Sequence, residues 1–194
     1  MNRARILGLA GSLRQESHNK ALLVAAAKLA PPGVRVEIYE DLARVPLFSE
    51  DVEAEGVPDG VRRLARAVAA CDGLLLATPE YNQSIPGVLK NAIDWLSRPS
   101  VATPLDGMPA ATMGITSGQW GTRYAQAALR HVLLATGALV LPASGAYFRD
   151  APTLIDRGTL RDEHARASVA RLLADFADWI DRCAGQPRSS VAMK

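Results

Sequence analysis

Residues 73–99 read GLLLATPEYNQSIPGVLKNAIDWLSRP, and this stretch decides the fold. Gly73–Ala77 is a continuous apolar run, the pattern of a strand covered on both faces. Thr78–Pro86 is polar and proline-bearing; Pro79 stiffens the turn by fixing φ, and Pro86 suits the first turn of a helix. Leu89, Ala92, Ile93 and Leu96 then recur at helical spacing. A buried strand, a stiff loop and a helix make one unit of a parallel sheet, because parallel strands need a long crossover. The loop also puts an aromatic ring, Tyr81, and an amide, Asn82, at the end of a buried strand.

The same alternation extends in both directions. Ala4–Ala10 (ARILGLA) is an apolar run, and Ser17–Ala30 carries Leu22, Ala26 and Leu29 on one helical face before Pro31–Pro32–Gly33 stops it. Val34–Tyr39 (VRVEIY) alternates and predicts a strand at or near a sheet edge. Asp41–Asp59 reads as a long acidic connection, after which Val61, Leu64, Ala65 and Val68 mark a helix. Downstream, Ala110–Ile115 predicts a fourth strand and Ala125, Ala128, Leu129 and Val132 a helix ended by Gly137. Leu139–Pro142 predicts a short fifth strand, and after a loop Val169, Leu172, Leu173, Phe176 and Ile180 mark the last helix. Alternating strands and helices predict an α/β three-layer sandwich. Right-handed crossovers with one reversal of winding give a five-stranded parallel sheet of order 2-1-3-4-5. A single domain is expected over 1–184, with a small, polar tail over 185–194. In such a sheet ligands bind outside the carboxyl ends of the strands, where the order reverses. That directs attention to the loops Gly11–Asn19 and Thr78–Pro86.

The 194 residues carry a formal charge of +2, too small to point to nucleic acid or an acidic membrane as the main partner. No apolar run has membrane-spanning length, and Met1–Arg5 leads straight into a strand-like segment without a signal-peptide core, so a cytoplasmic location is expected. Cys71 and Cys183 lie far apart with no CxxC spacing, which reads as reduced thiols, with core packing for Cys71. His18, His131 and His164 do not fall at metal-ligand spacing with cysteines or acids, so no metal site is expected.

The loop GSLRQESHN over 11–19 gathers the hydroxyls of Ser12 and Ser17, the Arg14 guanidinium and the Asn19 amide at a helix start. A helix start supplies N–H groups and the positive end of its dipole, so these are the parts of an anion cradle. A simple N-cap needs only one serine and leaves Ser12 and Arg14 idle. The loop lacks GxGxxG and GxxxxGK[ST], against a dinucleotide fingerprint or an NTP P-loop. It lacks a cysteine too, against a thiolate phosphatase. Tyr81, taken alone, reads as a loop residue packing on its neighbours.

Together, GSLRxxSxN and TPEYNxSxPGxLKNAIDWLSR resemble the NAD(P)H-dependent FMN reductases of flavodoxin-like fold, and within them the bacterial quinone and chromate reductases. The resemblance runs from the first strand to the last helix. It implies a noncovalent FMN, NADPH or NADH as co-substrate, and a homodimer or homotetramer. It also implies a ping-pong reaction in which hydride passes through flavin N5 to quinones, chromate, azo compounds or similar small acceptors. It places the ribityl phosphate on Ser12, Arg14, Ser17 and Asn19. The flavin ring falls on Pro79, Glu80, Tyr81 and Asn82, with Ser117 and Gly118 at its other edge. No side chain is expected to be catalytic, because the flavin carries the chemistry. Two other roles fit an FMN-binding fold: a reductase that hands free reduced FMN to a partner, and a flavodoxin-like electron carrier.

The third loop, TSGQWGTRYAQAALRHVLL over 116–134, departs from that pattern. Gly121–Thr122 stands where two glycines are usual, and Tyr124 where an arginine is expected, with Arg123 one place earlier. Trp120 reads either as a residue over the pocket or as a subunit contact. Trp95–Leu96 similarly reads as a subunit contact or as core.

Overall fold

The structure is a computed structural model and describes residues 4–142 and 145–185. Its main sheet is parallel, in the order β2 (Val34–Ile38), β1 (Ala4–Ala10), β3 (Gly73–Ala77), β4 (Pro109–Ile115) and β5 (Leu139–Val140). This is the 2-1-3-4-5 order expected from the sequence. The fifth position is shared by two segments, however. β5 pairs with β4 at Pro109–Ala110, and a further strand, β6 (Ala146–Phe148), pairs with the other end of β4 at Met113–Ile115. The fifth strand anticipated over Leu139–Pro142 is therefore shorter than expected, and Ala146–Phe148 completes the edge.

The strands bury both faces, which explains why β3 shows no polar alternation. Leu75 and Ala77 face a core shared with α1 (His18–Leu29) and α7 (Glu163–Cys183), together with Ile6, Leu22, Leu173 and Phe176. Leu74 and Leu76 face the opposite core, against α3 (Asp59–Ala69), α4 (Gly87–Leu96) and α5 (Arg123–Ala135), together with Leu64, Leu89 and Leu129. Cys71 and Cys183 are both buried. Among the described residues no helix is long and apolar enough to cross a membrane.

Trp95, one of the residues read two ways from the sequence, belongs to the core: it is fully buried. Its ring meets Phe48 edge to face at 5.0 Å, and its Nε1–H donates to the Pro46 carbonyl at 2.9 Å. One turn earlier, Asn91 donates to the same carbonyl at 2.9 Å and accepts from the Phe48 N–H at 2.7 Å. The i, i+4 pair on α4 thus pins the Pro46–Phe48 segment to the core.

The connection Asp41–Asp59 contains a helix the sequence did not reveal, α2 (Glu50–Glu55). It has no buried residue, so it carries no apolar periodicity to detect. Ser49 caps it by accepting from the Asp51 N–H, and acids fill its first turn, favourably placed at the dipole's positive end. Glu53 holds Arg98 (2.9 Å) and Ser100 (2.6 Å), fixing α2 beside the end of α4. Beyond β6, a one-turn helix α6 (Ala151–Leu154) leads into a small hairpin, β7 (Ile155–Asp156) and β8 (Thr159–Leu160), in the span read as loop. The tail expected from Gly185 lies, from residue 186 onward, outside the described residues.

Candidate functional site

The loops after β1, β3 and β4 leave the same end of the sheet, and the first two begin hydrogen-bonded to the neighbouring strand. The Gly11 N–H donates to the Ala77 carbonyl at 2.8 Å, and the Thr78 N–H to the Met113 carbonyl at 2.9 Å. Gly11 is close-packed: a Cβ there would lie 3.2 Å from the Pro79 and Leu89 side chains, which would have to give by a few tenths of an ångström to admit it. Gly114 is tighter still, for a Cβ would collide with the Thr78 carbonyl and the Thr122 hydroxyl. This end of the sheet is where the strand order reverses, between β1 and β3.

In the first loop Leu13–Glu16 are exposed, Ser12 is half-buried and Ser17 is buried. Ser17 is the N-cap of α1, its Oγ accepting from the Lys20 N–H at 3.2 Å. Its hydroxyl hydrogen remains a possible donor, so capping and anion binding are compatible. Arg14 projects from an exposed position on the same loop.

Asn19 stands apart from this group. It is buried, with 2% exposure, and its amide is engaged on both sides: Nδ2 donates to the Ile115 carbonyl at 2.9 Å and Oδ1 accepts from the Ile115 N–H at 3.1 Å. The β3–β4 register ends at Ala77 and Met113, so Ile115 runs past the last paired strand residue on that side. Asn19 supplies the hydrogen bonds that a longer β3 would have supplied.

In the second loop Tyr81 and Ser84 exchange both backbone hydrogen bonds, at 3.1 and 3.0 Å. Asn82 (φ 49°) and Gln83 (φ 60°) lie between them in the left-handed region, a two-residue hairpin of the I′ kind. Asparagine is among the residues that tolerate that conformation best, so Asn82 is placed by local geometry as well as by any ligand. Tyr81 is turned out, 48% exposed. Pro79 is buried.

Glu80 reaches across to the third loop, where its Oε2 accepts from the Tyr124 N–H at 2.9 Å and the Ala125 N–H at 3.1 Å. It is the cap of α5, whose own N-cap residue, Thr122, offers no side-chain bond to the helix start. Gly121 and Thr122 both take positive φ, 60° and 62°. A threonine is strained there, which explains why glycine is usual at such a position. Here Thr122 is fully buried and held by Gln126, whose Nε2 donates to its hydroxyl at 2.9 Å. Gln126, also fully buried, donates to the Ala146 carbonyl at 2.9 Å and accepts from Thr112 at 3.0 Å. This network welds β4, β6 and the start of α5. Its members are spread from Thr112 to Ala146, so no local motif in the sequence announces it. Ser117 and Gly118 are exposed on the rim, the Gly118 N–H donating to the Thr116 hydroxyl at 3.1 Å. Trp120 and Tyr124 are also turned out there, their rings edge to face at 5.8 Å.

The donor set suits a phosphorylated flat ring. Hydroxyls, a guanidinium and a helix start at one end fit a dianion, while the exposed aromatics beside the second and third loops fit a fused heterocycle. Among the described residues no group of His, Cys, Asp and Glu is arranged to hold a metal ion.

The sequence profile of the family described as NADPH-dependent FMN reductase matches residues 4–152. An NAD(P)H-dependent FMN reductase of Pseudomonas aeruginosa is 42% identical over 182 residues, covering 93% of this chain and 97% of that protein. A 2-hydroxy-1,4-benzoquinone reductase of a Burkholderia species is 36% identical, covering 91% of this chain and 96% of that protein. Among solved structures, FerB of Paracoccus denitrificans, a flavoenzyme NAD(P)H:(acceptor) oxidoreductase, superposes with a TM-score of 0.82 at 32% identity, covering 92% of this chain and 98% of that one.

Proposed function

The chain belongs to the NADPH-dependent FMN reductase family, and we propose that it is an FMN-dependent NAD(P)H oxidoreductase whose acceptors are quinones. One observation carries this reading: at the switch point of the sheet Glu80 ties the loop after β3 to the start of α5, with the hydroxyls and guanidinium of the loop after β1 and the exposed aromatics of the other two loops at the same end of the sheet. FMN, held by residues of these loops, would supply two-electron redox chemistry between NAD(P)H and a quinone.

The protein's part is placement. Arg14 and the hydroxyls of Ser12 and Ser17 donate to the phosphate, assisted by the start of α1. Asn19 acts underneath as a positioning residue, fixing the start of α1 against β4 through Ile115. Pro79 and the Tyr81–Ser84 hairpin make a stiff ledge for the ring, and Asn82, Ser117 and Gly118 offer polar groups along its edges. Glu80 holds the third loop to the second and so sets the spacing between the two edges.

The test is titration of FMN into the purified protein, followed by anaerobic mixing with NADPH and with NADH. Saturable quenching of flavin fluorescence at one FMN per chain and rapid bleaching of its absorbance are expected. A protein that ignores FMN, or binds it without bleaching, sinks this reading.

A further inference from the structure

The third loop, residues 116–122, runs into α5 through a turn that carries two exposed aromatic rings. Trp120 and Tyr124 are 48% and 46% exposed, while Gly121 and Thr122 between them are buried. The turn is anchored from below and presents two rings outward. It is not a slack segment: Glu80 holds the Tyr124 N–H, Gln126 holds Thr122, and the Arg123 N–H donates to the Trp120 carbonyl at 3.3 Å. Isolated exposed aromatics are ordinary on a protein surface, but here two exposed rings are held edge to face on a turn that Glu80 ties to the loop after β3.

The charges around it are equally specific. Arg123, the cation of this turn, is directed at the Tyr147 ring, its Cζ 5.8 Å from the centroid. Glu80 places a carboxylate at the base of the turn. A tetrahedral oxyanion has no flat face to lay on these rings, whereas a flat, neutral, electron-poor ring meets a stacking partner with indole N–H and phenol O–H groups at its edge.

We propose that Trp120 and Tyr124 form an aromatic wall that selects flat, neutral quinone-type acceptors over oxyanions such as chromate. The proposal rests on the reductase reading above and goes beyond it by assigning acceptor choice to two residues. The experiment uses the FMN-saturated enzyme and its Trp120→Ala, Tyr124→Ala and Trp120→Phe variants, with NADPH as donor and 1,4-benzoquinone and chromate as alternative acceptors. The ratio of kcat/KM for benzoquinone to that for chromate should fall about three- to tenfold in each alanine variant, the size expected for one lost aromatic contact. The fall should be carried by the KM for benzoquinone, and Trp120→Phe should recover most of it. An unchanged ratio, or equal losses with both acceptors, overturns the proposal while leaving the reductase reading intact. Failure of NAD(P)H to bleach the flavin of the unsubstituted enzyme, seen before any acceptor is added, overturns both.

Discussion

The Glu80 carboxylate accepts the Tyr124 N–H at 2.9 Å, joining the loop after β3 to the first turn of α5 across 44 positions of sequence. A charged oxygen on helix N–H groups is stronger than a neutral cap, and it meets the positive end of the dipole. Glu80→Ala should cost about 1–2 kcal/mol of folding stability in urea titration. Glu80→Gln keeps an acceptor but loses the charge, and should fall between the two. Because the bond sets the spacing between second and third loops, both variants should also weaken FMN binding; a stability loss with unchanged FMN affinity would separate the cap from the pocket.

Arg14 is exposed on the first loop and holds no structural position in the core. Arg14→Ala should therefore leave the unfolding midpoint of the ligand-free protein unchanged within error. Loss of a charge-assisted bond to phosphate should raise the Kd for FMN about tenfold to a hundredfold, read by flavin fluorescence. Riboflavin, which lacks the phosphate, should bind the variant and the unsubstituted protein alike.

Asn19 makes the opposite prediction. Its removal strips the partners from both the N–H and the carbonyl of Ile115, so Asn19→Ala should cost about 2–4 kcal/mol without any ligand present. Asn19→Asp can still accept from the N–H but sets an oxygen against the Ile115 carbonyl, and should be at least as damaging. Urea titration of the ligand-free proteins decides this; unchanged stability would return Asn19 to the phosphate cradle.

Tyr39 packs against the α3 and α4 core, and among the described residues its buried hydroxyl has no hydrogen-bond partner. Burial, reinforced by Asp41, raises its pKa above the ordinary tyrosine value of 10.0, against opposing contributions from Arg63 and Arg44. The folded state thus keeps the phenol proton at a pH where the unfolded chain has begun to lose it. Stability from this group is complete below pH 10 and declines as pH rises from there toward the raised folded value. Tyr39→Phe should raise stability by about 1 kcal/mol at neutral pH and shed this alkaline decline. Denaturant titrations at neutral and alkaline pH test both halves.

Much of the candidate site is proposed from the sequence because its residues lie close together along the chain. GSLRQES places hydroxyls and a guanidinium in one turn, and Pro79, Tyr81 and Asn82 follow a strand whose unbroken apolar run identifies it as interior. The roles of Asn19 and Glu80 were not legible. Both sit inside conspicuous motifs, yet their partners, Ile115 and Tyr124, belong to segments far along the chain. An amide and a carboxylate look alike in sequence whether they meet a ligand or a backbone group. The helix α2 escaped notice for a different reason, since a helix with no buried face leaves no periodicity.

The order of strands, the two-sided burial of β3 and the switch-point loops were determined by the sequence alone, because alternation of short apolar runs with helical stripes admits few parallel topologies. Only the tertiary structure decided which polar side chains near those loops face outward and which tie loops together. It also decided that Trp95 fills the core while Trp120 stands at the rim, 48% exposed. Periodicity reports which face of an element is buried, but a side chain's partner across a loop depends on distances that exist only once the chain has closed on itself.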